Sequence, residues 1–247
     1  MNLILAATIL IPIFYNGAGQ AGSFWHTSVA LDNFAATPLE GHGVVFLTSN
    51  CEIPEGCPIL TVDPGEMAFV TAPYAPNGLI LHPRDEDAQQ IEIQASFGER
   101  RRHAGTAGVE LPIARDDDFR SIRFGFPLVR FEGGYETPTV RTLLRIYSLD
   151  PAPGQQVRVE LQPLYRPAQR IADRAAVVTL APGDAGPFPL HPSFAQVDLQ
   201  REFAGYGQGT VRVDVVPLPN GNVTPRVWAF VTITHNQTNE VTVISPQ

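Results

Sequence analysis

Short hydrophobic runs separated by turn residues recur along the whole chain. The strictest alternation lies at 90–97, where every second residue is apolar and the residues between are polar. Alternation with a period of two is typical of a strand that buries one face. No helical periodicity extends over three turns, and 165–174 is either a short helix or a loop. The pattern therefore predicts an all-β protein with antiparallel sheets.

Two of the predicted strands have a face that can be assigned to the core. In 90–97 the predicted core residues are Ile91, Ile93, Ala95 and Phe97. In 24–31 the more apolar set, and therefore the predicted core face, is Trp25, Thr27, Val29 and Leu31. Because successive side chains of a strand point to opposite sides, the other residues of each strand are expected to face away from the core.

The end of the chain carries three β-rich runs, at 211–216, 226–234 and 240–244. Proline, asparagine and glycine separate the first two runs, and a polar turn separates the last two. Consecutive strands joined by turns usually lie side by side. The runs therefore predict an antiparallel meander that closes a second domain.

A second local pairing is predicted upstream of that meander. The β runs 140–148 and 157–164 flank the residues 150–154, whose two prolines and glycine favour a turn. Both runs alternate, and Leu144 and Ile146 share one face of the first. We therefore expect these two strands to form a hairpin-like unit.

Residues that break secondary structure are spread along the chain. The 247 residues include 23 prolines and 21 glycines, as expected for many short strands in a β-sandwich. Glycines and arginines interrupt the β pattern at 98–108. We therefore expect two consecutive antiparallel β-sandwich domains of immunoglobulin-like character, an N-terminal one at 8–108 and a C-terminal one at 109–247.

The N-terminal segment has two interpretations. In the first, 8–14 is the first β-strand, and Pro12 marks an edge or a bulge. In the second, the apolar residues 1–14 belong to an export signal with a small-residue cleavage site at 18–21. A signal peptide normally begins with basic residues, which this segment lacks, and a membrane span needs a longer apolar run. The strand is the favoured interpretation, and no membrane span is expected.

Cys51 and Cys57 are the only cysteines of the chain. Pro54 and Gly56 let the intervening segment double back, so a disulfide between them is the favoured interpretation and a reduced pair is the alternative. So short a closed loop would stabilise the fold by roughly 2 to 2.5 kcal/mol. A disulfide would imply an oxidising compartment, and hence an extracytoplasmic protein.

The charge pattern excludes several classes of chemistry. All 17 basic residues other than histidine are arginines, so a Schiff-base lysine, a P-loop lysine and a Ser–Lys dyad are excluded. The net charge of −8 argues against nucleic acid as a partner. The six histidines are scattered singly, and the cysteine pair has no nearby histidine pair to complete a zinc site. We therefore expect no metal and no cofactor.

Acidic and aromatic residues are the remaining candidates for a site. Asp116, Asp117 and Asp118 are adjacent, so their side chains cannot all converge on one point, and a solvated loop is the favoured interpretation. The alternative is a polysaccharide hydrolase with Asp116 or Asp118 in a cleft between the domains. A sugar-stacking platform would draw on Trp25, Tyr135, Tyr165, Tyr206 and Trp228, although core packing is the favoured interpretation of both tryptophans.

Several motifs of the chain are shared with a known group of proteins. They are the Ile-Pro-Ile and Gly-rich opening at 11–29, the Cys-Pro element at 51–58, Glu-Leu-Pro-Ile-Ala-Arg at 110–115, Leu-Arg-Ile-Tyr at 144–147, and the segments 226–236 and 243–247. Together they resemble a group of uncharacterised exported bacterial proteins that are frequent in Acidobacteria-like genomes. The resemblance covers most of the chain from Ile9 onward. It implies an extracytoplasmic β-rich protein, and it carries over no catalytic residue because the group has no established activity.

The sequence contains no recognisable catalytic motif. We therefore expect a non-enzymatic extracytoplasmic protein that acts in adhesion, surface display or ligand binding, with a surface glycan or a protein as its partner. The alternatives are a carbohydrate-binding module that uses exposed aromatic residues and the polysaccharide hydrolase described above.

Overall fold

The computed structural model describes most of the chain, and nearly all of the regular structure is β. It describes residues 8–18, 24–34, 44–48, 57–70, 75–83, 91–99, 108–132, 138–163, 174–203, 208–238 and 240–246. Every pair of neighbouring strands in these residues is antiparallel. The all-β prediction is confirmed. Across these ranges, no helix has the length and apolar character needed to cross a membrane.

The chain divides into two compact units that are not consecutive in sequence. The first unit comprises 1–118 and 184–192, and the second comprises 119–183 and 193–247. The predicted boundary at 108 therefore moves to Asp118, because the strands just after Gly108 pair with strands of the first unit. The short segment 184–192 lies between two strands of the second unit along the chain but packs with the first.

The first unit contains two sheets. Its strands are β1 (Ile9–Ile11), β2 (Asn16–Ala18), β3 (Phe24–Asn33), β4 (Val44–Thr48), β5 (Cys57–Val62), β6 (Met67–Phe69), β7 (Leu79–Pro83), β8 (Ile91–Glu99), β9 (Val109–Glu110) and β10 (Ala114–Arg115). One sheet has the order β10-β1-β7-β4-β5, and the other has the order β2-β3-β8-β9 with β6 also paired to β3. Asp116–Asp118 form a single 3-10 turn after β10.

The N-terminal strand is confirmed, but it is not an edge. β1 pairs with β10 on one side and with β7 on the other, and Ile9, Leu10 and Ile11 are completely buried. Pro12 follows the last paired residue, so its missing N–H removes no hydrogen bond from the ladder. An interior strand buries both faces, which explains the continuous apolar run in place of an alternation.

Both predicted core faces of the first unit are confirmed in large part. Thr27, Val29 and Leu31 of β3 are buried, and Trp25 is half-buried. On the neighbouring β8, Ile91 and Ala95 are buried, and Ile93 and Phe97 are half-buried. The two strands pair along nine consecutive positions, so their buried residues form one continuous apolar surface.

The second unit contains two four-stranded sheets. Its elements are β11 (Phe124–Glu132), β12 (Val140–Ser148), β13 (Gln156–Pro163), β14 (Ala175–Thr179), β15 (Ser193–Asp198), α1 (Leu199–Glu202), β16 (Gln208–Leu218), β17 (Trp228–His235) and β18 (Val241–Ile244). The sheet orders are β11-β16-β13-β14 and β15-β12-β17-β18. One hydrophobic cluster draws on both sheets, with Phe126, Val159 and Val213 from the first and Leu144, Ile146 and Val231 from the second.

Of the two predicted local pairings in the second unit, the meander is wrong in part and the hairpin is wrong. Of the three C-terminal runs, only β17 and β18 form a hairpin, because β16 pairs with β11 and β13 in the other sheet. The predicted hairpin of β12 with β13 does not form either, since β12 pairs with β15 and β17. In both cases the connecting turn carries the chain from one sheet to the other. Placing each strand in a different sheet lets both bury an apolar face in the shared core.

Candidate functional site: a guanidinium face

Three neighbouring strands of the second unit each carry an arginine and a carboxylate two positions apart. The pairs are Arg130 with Glu132 in β11, Arg158 with Glu160 in β13, and Arg212 with Asp214 in β16. Residues next to them in sequence, such as Val159 and Val213, belong to the hydrophobic cluster. Because a strand alternates its side chains, the three pairs lie on the opposite side of the sheet. We call these six residues, together with Arg123, the guanidinium face.

Two carboxylates lie at the centre of the guanidinium face. Glu160 and Asp214 are directly opposite each other on β13 and β16. Like charges at directly opposed positions destabilise a sheet unless cations offset them. Arginines lie on both sides of this pair along the strands, so the acidic residues of the face are compensated within the sheet.

Asp214 is the most buried charge of the guanidinium face, with 1% of its side chain exposed. Its Oδ1 accepts a hydrogen bond from Nε of Arg212 at 2.7 Å, and its Oδ2 accepts one from Nε2 of Gln162 at 3.2 Å. Gly125 is the residue opposite Asp214 on β11. A β-carbon at Gly125 would overlap Oδ1 of Asp214, so the glycine provides the space in which the carboxylate lies.

Glu160 is held by two guanidinium groups. A terminal nitrogen of Arg123 donates to its Oε2 at 2.5 Å, and Nε of Arg158 lies 2.7 Å from its Oε1. The Arg158 contact is an ion pair without a well-directed hydrogen bond, since Nε of Arg158 has no hydrogen-bond partner. Both guanidinium groups are therefore fixed in place by a largely buried carboxylate.

Glu132 closes one end of the guanidinium face as a buried anion. Its carboxylate accepts hydrogen bonds from Arg130, from the amide and hydroxyl of Thr139, and from the amide of Val140. Burial alone would raise the pKa of Glu132, but the hydrogen bonds from Thr139, Arg130 and Val140 outweigh it, and its pKa lies below the ordinary value. Glu132 thus stays charged at neutral pH and joins β11 to the start of β12.

The arginine side chains of this face are half-exposed, whereas Glu132 and Asp214 are buried and Glu160 is half-buried. The exposed fractions of the side chains are 47% for Arg123, 54% for Arg130, 42% for Arg158 and 46% for Arg212. Arg158 and Arg212 approach their partners through Nε, and their terminal nitrogens bond to no other described residue. A guanidinium offers five N–H donors, so most of the donors remain available to a ligand.

The acids singled out in the sequence have local structural roles. Oδ2 of Asp116 accepts a hydrogen bond from the amide of Thr8, and Oδ2 of Asp118 accepts one from the amide of Arg115. Asp117 is exposed in the same 3-10 turn. In the part of the chain that the structure describes, no group of three or more His, Cys, Asp or Glu side chains has the geometry of a metal site.

His82 is a buried histidine with a structural partner. Its Nε2 lies 2.7 Å from the carbonyl oxygen of Pro189, so that nitrogen carries the proton and donates. Phe188 contacts the imidazole edge-on, and the amide of Ile80 donates to the carbonyl of Leu190 at 2.8 Å. Burial lowers the pKa of His82, although the Pro189 carbonyl and Asp116 oppose this. His82 therefore holds 184–192 against β7 as a neutral side chain.

Both tryptophans pack against other aromatic rings. Trp228 is 4% exposed and packs with Tyr147 and Phe230, which are both completely buried. Burial raises the pKa of Tyr147 to about 12, with Arg145 opposing it. Trp25 is half-buried and stacks on Phe97, with ring centroids 5.0 Å apart. Packing is thus the confirmed role of Trp228. Of the other proposed platform members, Tyr135, Tyr165 and Tyr206 lie outside the described residues.

Of the two cysteines in the predicted disulfide, Cys57 is among the described residues. Cys57 begins β5 and lies opposite Thr48 of β4, so the β4–β5 connection contains Cys51. Cys51 lies outside the described residues, and the Cys51–Cys57 disulfide stays a prediction.

Three short motifs in the sequence indicate the guanidinium face. Arg-Phe-Glu at 130–132, Arg-Val-Glu at 158–160 and Arg-Val-Asp at 212–214 each place a cation and an anion on the polar side of a strand. Which strands are neighbours cannot be read from the motifs, because these three strands are distant in sequence. The pairing of β16 with both β11 and β13 brings the motifs together.

Comparison with known proteins identifies no family and no function for the chain. No protein-family model matches the chain, and neither the curated proteins nor the solved structures gave a significant match. The resemblance to exported bacterial proteins therefore stays a prediction.

Proposed function

We propose that the protein is a non-enzymatic extracytoplasmic binding protein whose ligand contacts the guanidinium face. The observation that carries this proposal is that the carboxylates of the face are less exposed than its arginines: two of the three are buried and the third is half-buried, while all four arginine side chains are half-exposed. Burying a carboxylate costs free energy that an apolar residue would not. We infer that the carboxylates orient the arginine side chains before a ligand binds. Donors that are already oriented bind a ligand more tightly, because less conformational freedom is lost on binding.

We further propose that each unit is a β-sandwich, and that the second is related to the immunoglobulin type. In an immunoglobulin sandwich the second strand pairs with the fifth and the third with the sixth. The second unit has the same two pairs, β12 with β15 and β13 with β16. It differs in three other strands, because the first, β11, pairs with β16, the fourth, β14, pairs with β13, and the seventh, β17, pairs with β12. In the immunoglobulin order these strands pair with the second, the fifth and the sixth. A sheet of paired strands is a suitable support for a binding surface.

A glycan array combined with a hydrolysis screen tests the binding role. The wild-type chain is expected to retain at least one surface glycan without converting it, and the Arg123→Gln/Arg158→Gln variant is expected to lose that binding. Arg141→Gln is the matched control, because Arg141 is also a half-exposed partner of a carboxylate but lies in the other sheet. Turnover that survives purification, or binding that the Arg123→Gln/Arg158→Gln variant keeps in full, would contradict the proposal.

The extracytoplasmic location rests on the cysteine pair and on the resemblance to exported proteins. If Cys51 and Cys57 are bonded in the protein as isolated from cells, an alkylating reagent should modify neither until a reductant is added. The measurement is the mass of the intact chain after alkylation with and without reductant. Modification of both thiols without reductant would contradict the disulfide and remove this support for an oxidising compartment.

A further inference from the structure

We propose that the guanidinium face recognises an acidic polysaccharide through the carboxylate groups of its sugars. This inference rests on the proposed binding function and adds the ligand class to it. It is drawn from the charge of the face, the geometry of its donors, and the shape of the surface that carries them.

The charge of the face is opposite to that of the chain. The chain as a whole carries a net charge of −8, whereas the face has four arginines for three carboxylates. An acidic ligand is therefore attracted to this face, against the repulsion that the net charge of the chain exerts on it. A phosphate polymer of high charge density would meet that repulsion along its length, so a ligand with separated charges fits better.

The free donors of the face match a planar anion. Arg158 and Arg212 contact Glu160 and Asp214 through Nε, so the two terminal nitrogens of each group are not the atoms that make these contacts. Two parallel N–H donors of a guanidinium bind the two oxygens of a carboxylate. Arg158 and Arg212 lie on neighbouring strands, four positions apart in register. That offset corresponds to about 13 Å along the strands, so one extended ligand with several carboxylates is needed to reach both.

The shape of the surface favours a glycan over a peptide. Peptides that bind to sheets usually add a strand at an edge and use backbone hydrogen bonds. The guanidinium face is the broad side of a sheet, and β13 and β16 have both edges already paired. Polar side chains such as Gln156, Gln162 and Thr179 are available beside the arginines, and they both donate and accept hydrogen bonds, as sugar hydroxyls do.

Titration calorimetry of the full chain with a galacturonic acid oligomer tests the proposal. The wild-type chain is expected to bind the oligomer, and the fully methyl-esterified oligomer is expected to bind at least ten-fold more weakly because it lacks the carboxylates. The variant Arg158→Lys/Arg212→Lys keeps the charge that Glu160 and Asp214 require but loses the planar fork. We expect it to bind the acid oligomer at least ten-fold more weakly, while Arg141→Lys binds as the wild type does.

Each contrary result has a distinct meaning. Equal binding of the ester, unchanged binding by Arg158→Lys/Arg212→Lys, or no binding of the acid oligomer overturns the carboxylate recognition. Tighter binding of a glutamate oligomer than of the sugar oligomer overturns the glycan assignment in favour of a protein ligand. If the array shows a neutral glycan that the Arg123→Gln/Arg158→Gln variant loses, the proposed binding function stands and this inference fails. Thermal unfolding of each variant establishes that it is folded.

Discussion

A chain that starts at Gly22 is expected to lose the folded first unit. This deletion removes β1, an interior strand between β10 and β7. The three residues of β1 are completely buried, and burying each such side chain is worth roughly 1.5–3 kcal/mol. Their sum approaches the whole stability of an ordinary domain, which is about 5–15 kcal/mol. The unpaired edges of β10 and β7 add to the loss.

Hydrogen exchange measured by mass spectrometry checks this expectation. In the deleted chain, amides of β7 such as that of Leu81 are expected to exchange at the rate of an unfolded segment. A chain that starts at Ala7 is the matched control, since it keeps β1 and the hydrogen bond from Thr8 to Asp116. Native protection of β7 in the chain that starts at Gly22 would show that β1 is dispensable.

Gly125→Ala is expected to destabilise the second unit by about 3 kcal/mol, because the new methyl group displaces a buried anion. The methyl group would overlap Oδ1 of Asp214 and lie 2.9 Å from the carbonyl oxygen of Val213. The carboxylate would have to leave its place under Arg212 and Gln162. Denaturant unfolding measures the effect as a lower midpoint at an unchanged slope.

Gly209→Ala is the matched control for this substitution. Gly209 lies in β16 of the same sheet, and a β-carbon there would have no atom within 4 Å. We expect it to change the free energy of unfolding by less than about 0.5 kcal/mol. The cost of Gly125→Ala is also expected to shrink when Asp214 is already alanine, since the overlapping carboxylate is then absent. Equal stability of Gly125→Ala and Gly209→Ala would contradict the placement of Asp214.

Strand existence and strand faces followed from the sequence where one side of a strand is exposed. At β3 and β8 the polar residues between the apolar ones fix the period, and Val29, Leu31 and Ala95 are buried as predicted. At β12 the prediction that Leu144 and Ile146 share one face is confirmed, but the sequence did not show that the other face is buried as well. Leu144 belongs to the shared hydrophobic cluster, whereas Tyr147 packs on the opposite side with Trp228 and Phe230.

Strand neighbours could not be predicted, because they depend on contacts between residues distant in sequence. The rule that consecutive strands pair holds for β17 with β18 and fails for β16 with β17. The guanidinium face could not be predicted for the same reason, because it depends on which strands are neighbours. Glu160 and Asp214 are each an ordinary polar position in an alternating strand, and only the pairing of β13 with β16 makes them opposed charges.

The domain boundary was misplaced for a related reason. The arginine- and glycine-rich stretch ending at Gly108 resembles a linker, but β9 and β10 after it pair with β8 and β1. The segment 184–192 gave no sequence signal of its membership in the first unit. Two of its contacts there are made by the main-chain carbonyls of Pro189 and Leu190, which any sequence provides.

The central claim is that the arginines of the guanidinium face bind the ligand directly. The most direct test is a nuclear magnetic resonance titration that follows the Nε–Hε signals of the arginine side chains as the galacturonic acid oligomer is added. We expect the signals of Arg123, Arg158 and Arg212 to shift together and with one dissociation constant, while that of Arg141 stays in place. Shifts confined to arginines outside the face, or no shift at saturating oligomer, would contradict the claim.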